Sequence, residues 1–225
     1  MYNINMLAFC MLKVNPVFVF HHVNAFEEDG QLVVDVSAYP DASIVYALYL
    51  KSLREGYKGQ WMKRPNLLRY RIPLDDVQDS TADIMDMPTD ETGRDYECLA
   101  ADFEMPTINY DAVNGRPYRY AYGLDTPFGK FICKVNVVEK TKVCWYPGED
   151  YGVSEGYFVA APAVDEKGQT IARNEDEGVV ISVITATKEK TPFMVILDAT
   201  TFTEIARATL PFSPALSIHG NFVSN

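Results

Sequence analysis

Apolar residues in this chain recur in short blocks rather than in helical stripes. Segments 17–23, 31–36, 67–74, 118–122, 131–138, 156–160, 179–186 and 193–198 are each five to eight residues long and rich in Val, Ile, Phe and Tyr. Those residue types suit a pleated, half-buried surface. Between the blocks stand Glu28-Asp29-Gly30, Asn114-Gly115, Pro147-Gly148 and Glu166-Lys167-Gly168, which are turn chemistry. One segment differs: Val45, Leu48, Tyr49 and Leu53 follow helical spacing, and Arg54-Glu55-Gly56 supplies a stop. The pattern predicts an all-β chain with one short helix. Many short strands suit a sandwich, a barrel or a propeller. No repeat of roughly 40 to 50 residues is visible, so self-similarity does not demonstrate a repeat-motif propeller. From Asp75 to Asp95 the chain is acidic with few apolar residues. This stretch reads as a surface loop, because it lacks the ligand order and terminal Glu of a calcium loop.

Composition narrows the function classes. The 225 residues correspond to about one and a half average domains. A net charge of −11 repels phosphate backbones, which disfavours nucleic acid as a partner. A hydrophobic fraction of 48%, with 14 Tyr and 12 Phe, is ample for a packed core. Cys10, Cys98, Cys133 and Cys144 are widely spaced, with no C-x-x-C pair. They read as reduced thiols, mostly small core hydrophobes. No apolar run approaches the roughly 18 residues of a membrane span. The apolar start from Met6 to Leu12 has no Lys or Arg before it, so a cytoplasmic setting is expected.

Candidate chemistry is sparse. No G-x-S-x-G elbow occurs, and the proximity of Ser217 to His219 does not make a triad. Neither G-x-G-x-x-G nor P-loop spacing is present. The only histidines are His21, His22 and His219. In a regular strand Val17, Val19, His21 and Val23 share one face while Phe18, Phe20, His22 and Asn24 share the other. His21 and His22 therefore cannot both face one metal unless the strand breaks. Taken alone, each histidine reads as a core or rim residue rather than a ligand, and the residues by themselves indicate only an acidic all-β domain.

The wording around the histidines carries more. Phe20-His21-His22-Val23-Asn24-Ala25-Phe26-Glu27-Glu28-Asp29-Gly30 resembles the F-H-x-x-N-A-x-E segment of the carotenoid cleavage oxygenases. So do Asp102 to Tyr110, Gly115 to Gly123, Ser154 to Val159, Glu175 to Ser182, Leu197 to Ala208 and His219-Gly220-Asn221-Phe222, in family order over nearly the whole chain. Tyr46 to Arg54 and Leu68 to Leu74 resemble the animal branch, with its β-carotene oxygenases and retinoid isomerohydrolase.

The resemblance implies part of a seven-bladed β-propeller whose axis holds one Fe(2+) on four histidines. Neutral imidazoles leave such an ion its full charge and open positions for dioxygen and substrate. By position, His21 and His219 match the third and fourth ligands, and His22 falls where the family needs no histidine. Glu104 and Glu155 match two of the family's three glutamates that accept a hydrogen bond from a ligating imidazole. From the residues alone each is equally an exposed loop carboxylate. Two departures stand out: Gly156 replaces a proline of the family's Pro-Ser-Glu-Pro turn, which loosens it, and Trp145-Tyr146-Pro147-Gly148 replaces Trp-x-Glu-Pro-Gly.

The first two ligands have no counterpart, so residues 1–225 are expected to be the C-terminal part of a single propeller domain holding half of the iron site. The implied reaction is cleavage of a carotenoid or apocarotenoid double bond by O2, giving aldehydes or ketones. Carotenoid or retinoid substrate and O2 are the implied partners, with peripheral membrane contact by the full-length protein. Two alternatives stay open: an inactive truncated remnant or lipid-binding fragment, and a relative of the retinyl ester isomerohydrolases.

Overall fold

The computed structural model describes residues 11–55, 63–74, 84–126, 129–164, 173–186, 190–214 and 219–223. Three antiparallel sheets account for most of them, and in each the strands follow one another in chain order. The first contains β2 (Phe18–Glu28), β3 (Gln31–Tyr39), β4 (Asn66–Pro73) and β6 (Glu97–Ala101). The second contains β7 (Glu104–Thr107), β8 (Tyr120–Leu124), β9 (Ile132–Asn136) and β10 (Thr141–Trp145). In the third, β11 (Tyr151–Val153) and β12 (Tyr157–Ala160) both pair with β13 (Gly178–Ala186), followed by β14 (Phe193–Asp198) and β15 (Glu204–Thr209). A parallel pair, β1 (Met11–Lys13) with β5 (Ile84–Asp86), stands apart. Each sheet ends on its outer strand, and the chain then enters the first strand of the next. This is the connectivity of propeller blades. The three sheets are open among the described residues and do not by themselves establish a ring of seven.

All eight anticipated strands are present, with shifted ends. The anticipated single helix is not. Two short helices, α1 (Ser43–Ala47) and α2 (Leu50–Arg54), are separated at Tyr49, whose backbone is extended with ψ 136°. Their apolar stripe is not a core face either: Tyr46, Tyr49, Leu50 and Leu53 are exposed, while Ile44 and Ala47 pack with Tyr39 and Phe18. A further short helix, α3 (Tyr110–Val113), precedes β8. The acidic stretch also holds more order than expected, since β5 lies within it and Asp90 accepts the amide protons of Thr92 and Arg94. Residues 75–83 of that stretch, Cys10, Glu166-Lys167-Gly168 and Ser217 lie outside the described residues.

The reading of reduced thiols requires correction. Cys133 and Cys144 stand directly opposite one another in the β9–β10 ladder and are joined as a disulfide. They are 11 residues apart in sequence, and only the hairpin brings them together. Cys98 is free and exposed rather than buried in a core.

The sheets stack face to face through two apolar layers. Phe26, Val33 and Leu67 of the first sheet meet Ala121, Cys133 and Val135 of the second. The other face of the second sheet, with Tyr122, Leu124 and Ile132, meets Val180, Ile184, Val195 and Leu197 of the third. Buried polar ties cross the same junctions. Arg69 donates twice to Asp35, at 2.8 Å each, and the Tyr118 hydroxyl donates to the same carboxylate at 2.6 Å. Lys134 donates to Asp176 at 2.6 Å and to the carbonyls of Ala199 and Thr200. A buried carboxylate is tolerable only when paired and hydrogen-bonded, so these groups specify how neighbouring sheets meet.

Bulges on the first strands set the site. Register shifts in the β2–β3 ladder leave Phe20 and Val23 unpaired, which resets the alternation of faces. His21 pairs with Ser37 and Asn24 with Asp35, so His21 shares a face with Phe18, Asn24 and Phe26 rather than with Val19 and Val23. The simple alternation anticipated for this strand is thus corrected, while His21 and His22 still oppose each other. In β7 a register shift lies between Glu104 and Thr107, and Met105 has φ 54°. Gly123 faces this bulge: a Cβ there would lie 2.6 Å from the Glu104 carbonyl oxygen.

Two outcomes are expected. Asp35→Ala leaves the Arg69 charge buried and unpaired and lowers stability by about 3–5 kcal/mol; a loss under about 1 kcal/mol in urea denaturation would show that the tie between the first two sheets is unimportant. Gly123→Ala forces the Glu104 backbone away and costs about 1–3 kcal/mol, whereas an unchanged denaturation midpoint would contradict the close approach.

Candidate metal centre

The four residues singled out in the sequence converge. His21 arrives on the bulged strand β2, and Glu104 on the first residue of β7. Glu155 sits in the break between β11 and β12, and His219 in the segment that follows the third sheet. His21 Nδ1 lies 3.1 Å from Glu104 Oε2, and His219 Nδ1 lies 3.3 Å from Glu155 Oε1. An ionised carboxylate only accepts hydrogen bonds, so both Nδ1 atoms carry a proton, and in the neutral imidazole each Nε2 then presents a lone pair. Those two Nε2 atoms are 3.4 Å apart. His22 is exposed and takes no part.

Backbone contacts hold the carboxylates. Glu104 is 1% exposed, and its Oε2 also accepts the Met105 amide at 2.9 Å. Glu155 Oε2 accepts the Gly220 amide at 3.0 Å, which ties the His219 segment to the third sheet. The Glu104 carboxylate raises the pKa of His21 by accepting its hydrogen bond, against the opposing effect of burial. Sequence reasoning overlooked Tyr39 and Ser37, which lie on the His21 face of β3. Both are buried, and among the described residues neither hydroxyl, nor Glu104 Oε1, has a hydrogen-bond partner within 3.5 Å. Burial first, and the Glu104 charge second, push the Tyr39 hydroxyl well up and keep it protonated. The alternation of β3 could have revealed both residues once the face of His21 was known.

This donor set fits a divalent cation. When both rings are neutral with the proton on Nδ1, the two Nε2 atoms 3.4 Å apart face each other lone pair to lone pair. A shared ion relieves that repulsion: nitrogens each about 2.1 Å from it, at angles between about 90° and tetrahedral, lie about 3.0–3.4 Å apart. Neither carboxylate has a Lys or Arg partner among the described residues, so their negative charge remains available to the ion. The chain brings two imidazole nitrogens to this point. Among the described residues no group of three or more His, Cys, Asp or Glu could hold an ion. A cavity of about 500 Å³ lies elsewhere, around Arg69, Arg71, Arg94 and Lys140, and is unrelated to the histidines. No described helix is long and apolar enough to cross a membrane.

Comparison with known proteins agrees with the fold. Residues 7–224 match the family model described as retinal pigment epithelial membrane protein. The chain is 36% identical over 227 aligned positions to beta,beta-carotene 15,15'-dioxygenase of Rattus norvegicus, covering 93% of this chain and 38% of that protein. It is 35% identical to the Homo sapiens protein of the same name, covering 94% and 40% respectively. A solved apocarotenoid oxygenase of Synechocystis superposes with a TM-score of 0.72 at 23% identity, covering 92% of this chain and 40% of that one. The chain thus spans about two fifths of the length of the proteins it matches. With residues 7–224 matched to the family model and sequence identity above one third, the chain belongs to the retinal pigment epithelial membrane protein family, the carotenoid cleavage oxygenases.

Proposed function

We propose that this chain supplies two ligands, His21 and His219, to a non-haem Fe(2+) centre that cleaves a carotenoid or apocarotenoid double bond with O2. Glu104 and Glu155 hold the two rings. The carrying observation is the pair of Nε2 atoms 3.4 Å apart, each belonging to a ring whose Nδ1 meets a carboxylate. The names of the relatives, beta,beta-carotene 15,15'-dioxygenase, supply the reaction class. On this reading the remaining two ligands come from a region outside this sequence, and residues 1–225 form the C-terminal part of one propeller domain.

Bound iron would supply a site where O2 is activated beside an electron-rich polyene. The chain's own residues perform simpler tasks. Glu104 and Glu155 fix each ring with its lone pair inward, which removes the alternative tautomer. The Phe20 ring, 40% exposed and with its centroid 6.3 Å from that of His21, gives the approach an apolar wall. Phe18 and Tyr39 extend that wall. One double bond and one O2 become two carbonyl groups, so the balance requires neither an external reductant nor an acid or base from the protein.

Three measurements test this reading. In a longer protein containing all four ligands, His21→Ala and His219→Ala should each abolish stoichiometric iron while His22→Ala retains it; equal loss in all three would refute the assignment. The 225-residue chain alone should bind iron weakly, and stoichiometric, tightly held Fe(2+) would overturn the two-ligand reading. Offered a carotenoid under ¹⁸O₂, the longer protein should release labelled aldehyde or ketone. Isomerised retinol from a retinyl ester, without cleavage, would favour the isomerohydrolase alternative, and no turnover of either would favour a remnant.

A further inference from the structure

The turn that carries Glu155 is held from both sides by hydroxyl groups on two other strands. Val153 pairs with Ile184 and Tyr157 with Ile181, so Ser154, Glu155 and Gly156 stand opposite only Ser182 and Val183. The surplus residue makes a bulge that turns Glu155 out of the ladder. Its two flanking carbonyls would otherwise lack a regular partner. The Ser182 hydroxyl, buried on β13, donates to the Ser154 carbonyl at 2.7 Å. The Thr107 hydroxyl, at the end of β7, donates to the Gly156 carbonyl at 2.8 Å. The Ser154 amide completes the arrangement by donating to the Val183 carbonyl at 3.0 Å.

Gly156 explains why such a clamp is needed. A Cβ at this position would lie 3.0 Å from Ile132 and 3.1 Å from Val180, so close packing favours glycine there. Glycine leaves the backbone with more freedom than any other residue. A carboxylate carried on a loose turn orients an imidazole poorly, because the supporting groups of a metal site must themselves be held.

We propose that Thr107 and Ser182 are positioning residues for His219, acting through the Glu155 turn. Thr107 belongs to the same four-residue strand as Glu104, so β7 supports both imidazoles: His21 directly through a carboxylate, and His219 through a hydroxyl on the opposing turn. The proposal deepens the two-ligand reading and rests on it for its purpose, although the clamp itself can be judged without metal.

The test uses the 225-residue chain, metal-free, with ¹⁵N-labelled histidine. Long-range ¹H–¹⁵N spectra report which ring nitrogen carries the proton. His219 should carry it on Nδ1 in the unaltered chain. Thr107→Val, which keeps the volume and strand propensity but loses the hydroxyl, should shift His219 toward the Nε2–H form, as should Ser182→Ala. Thr107→Ser should restore the Nδ1–H form, and His21 should keep its proton on Nδ1 throughout. An unaltered His219 pattern in both variants overturns the proposal. Loss of folding in one variant leaves the other, on a different strand, to decide. Loss in both, unrelieved by Thr107→Ser, refutes a role confined to the turn. Co(II) titration separates the two ideas: the affinity of the unaltered chain should fall about tenfold in Thr107→Val. Failure of the unaltered chain to bind Co(II) would count against the metal reading while the tautomer result still judges the clamp.

Discussion

Glu104 is a carboxylate almost wholly removed from water, and the rest of the site follows from what such a group requires. An isolated charge at that depth would cost several kcal/mol. No Lys or Arg among the described residues meets it, so its compensation comes from the Met105 amide and the His21 ring. Committing the Nδ1 proton to Glu104 leaves the His21 lone pair facing inward. Glu155 imposes the same orientation on His219. On the proposed reading a cation lies between the two facing nitrogens, and the two carboxylates provide its counter-charge.

The fold delivers these groups through irregularities. The first sheet carries His21 between two unpaired residues of β2, the second carries Glu104 beside the left-handed Met105, and the third carries Glu155 where β11 breaks from β12. A regular strand sends its side chains perpendicular to the sheet, into the apolar layers that hold these sheets together. A group needed at the end of the stack must be turned out of that direction, and one extra residue in the ladder does so. The β9–β10 ladder keeps unbroken register from Thr141 to Trp145, while the β4–β6 and β14–β15 ladders each carry one further shift.

The sequence revealed the packed strands and hid the exposed and irregular ones. Segments such as Val179 to Ala186 alternate β-branched residues over a buried face, and they are strands in the structure. β10 and β15 were missed because outer strands with residues such as Lys142 and Arg207 face solvent and carry no apolar signature. β7 was missed because it spans only four residues and contains a proline. The helical stripe of Val45 to Leu53 misled because its large apolar residues are exposed rather than turned to a core. Bulges leave no mark in composition, so neither the shared face of His21, Ser37 and Tyr39 nor the pairing of Cys133 with Cys144 could be derived from spacing. The four site residues were legible only through resemblance to a family, since one histidine in an apolar strand and one near a chain end have no intrinsic meaning.

The second sheet occupies the decisive position in this arrangement. It is covered on both faces, by the first sheet through Phe26 and Leu67 and by the third through Val180 and Leu197. Buried ion pairs or hydrogen bonds reach it from both sides, at Tyr118 and at Lys134. Its first strand meets the His21 ring through Glu104 and the Glu155 turn through Thr107. A displacement of β7 relative to its neighbours would therefore shift both rings together. Interiors packed this densely change state in steps rather than by continuous deformation. The separation of the two nitrogens is consequently set by how three sheets stack, and residues remote from the histidines, Asp35 and Asp176 among them, act on the site by maintaining that stacking.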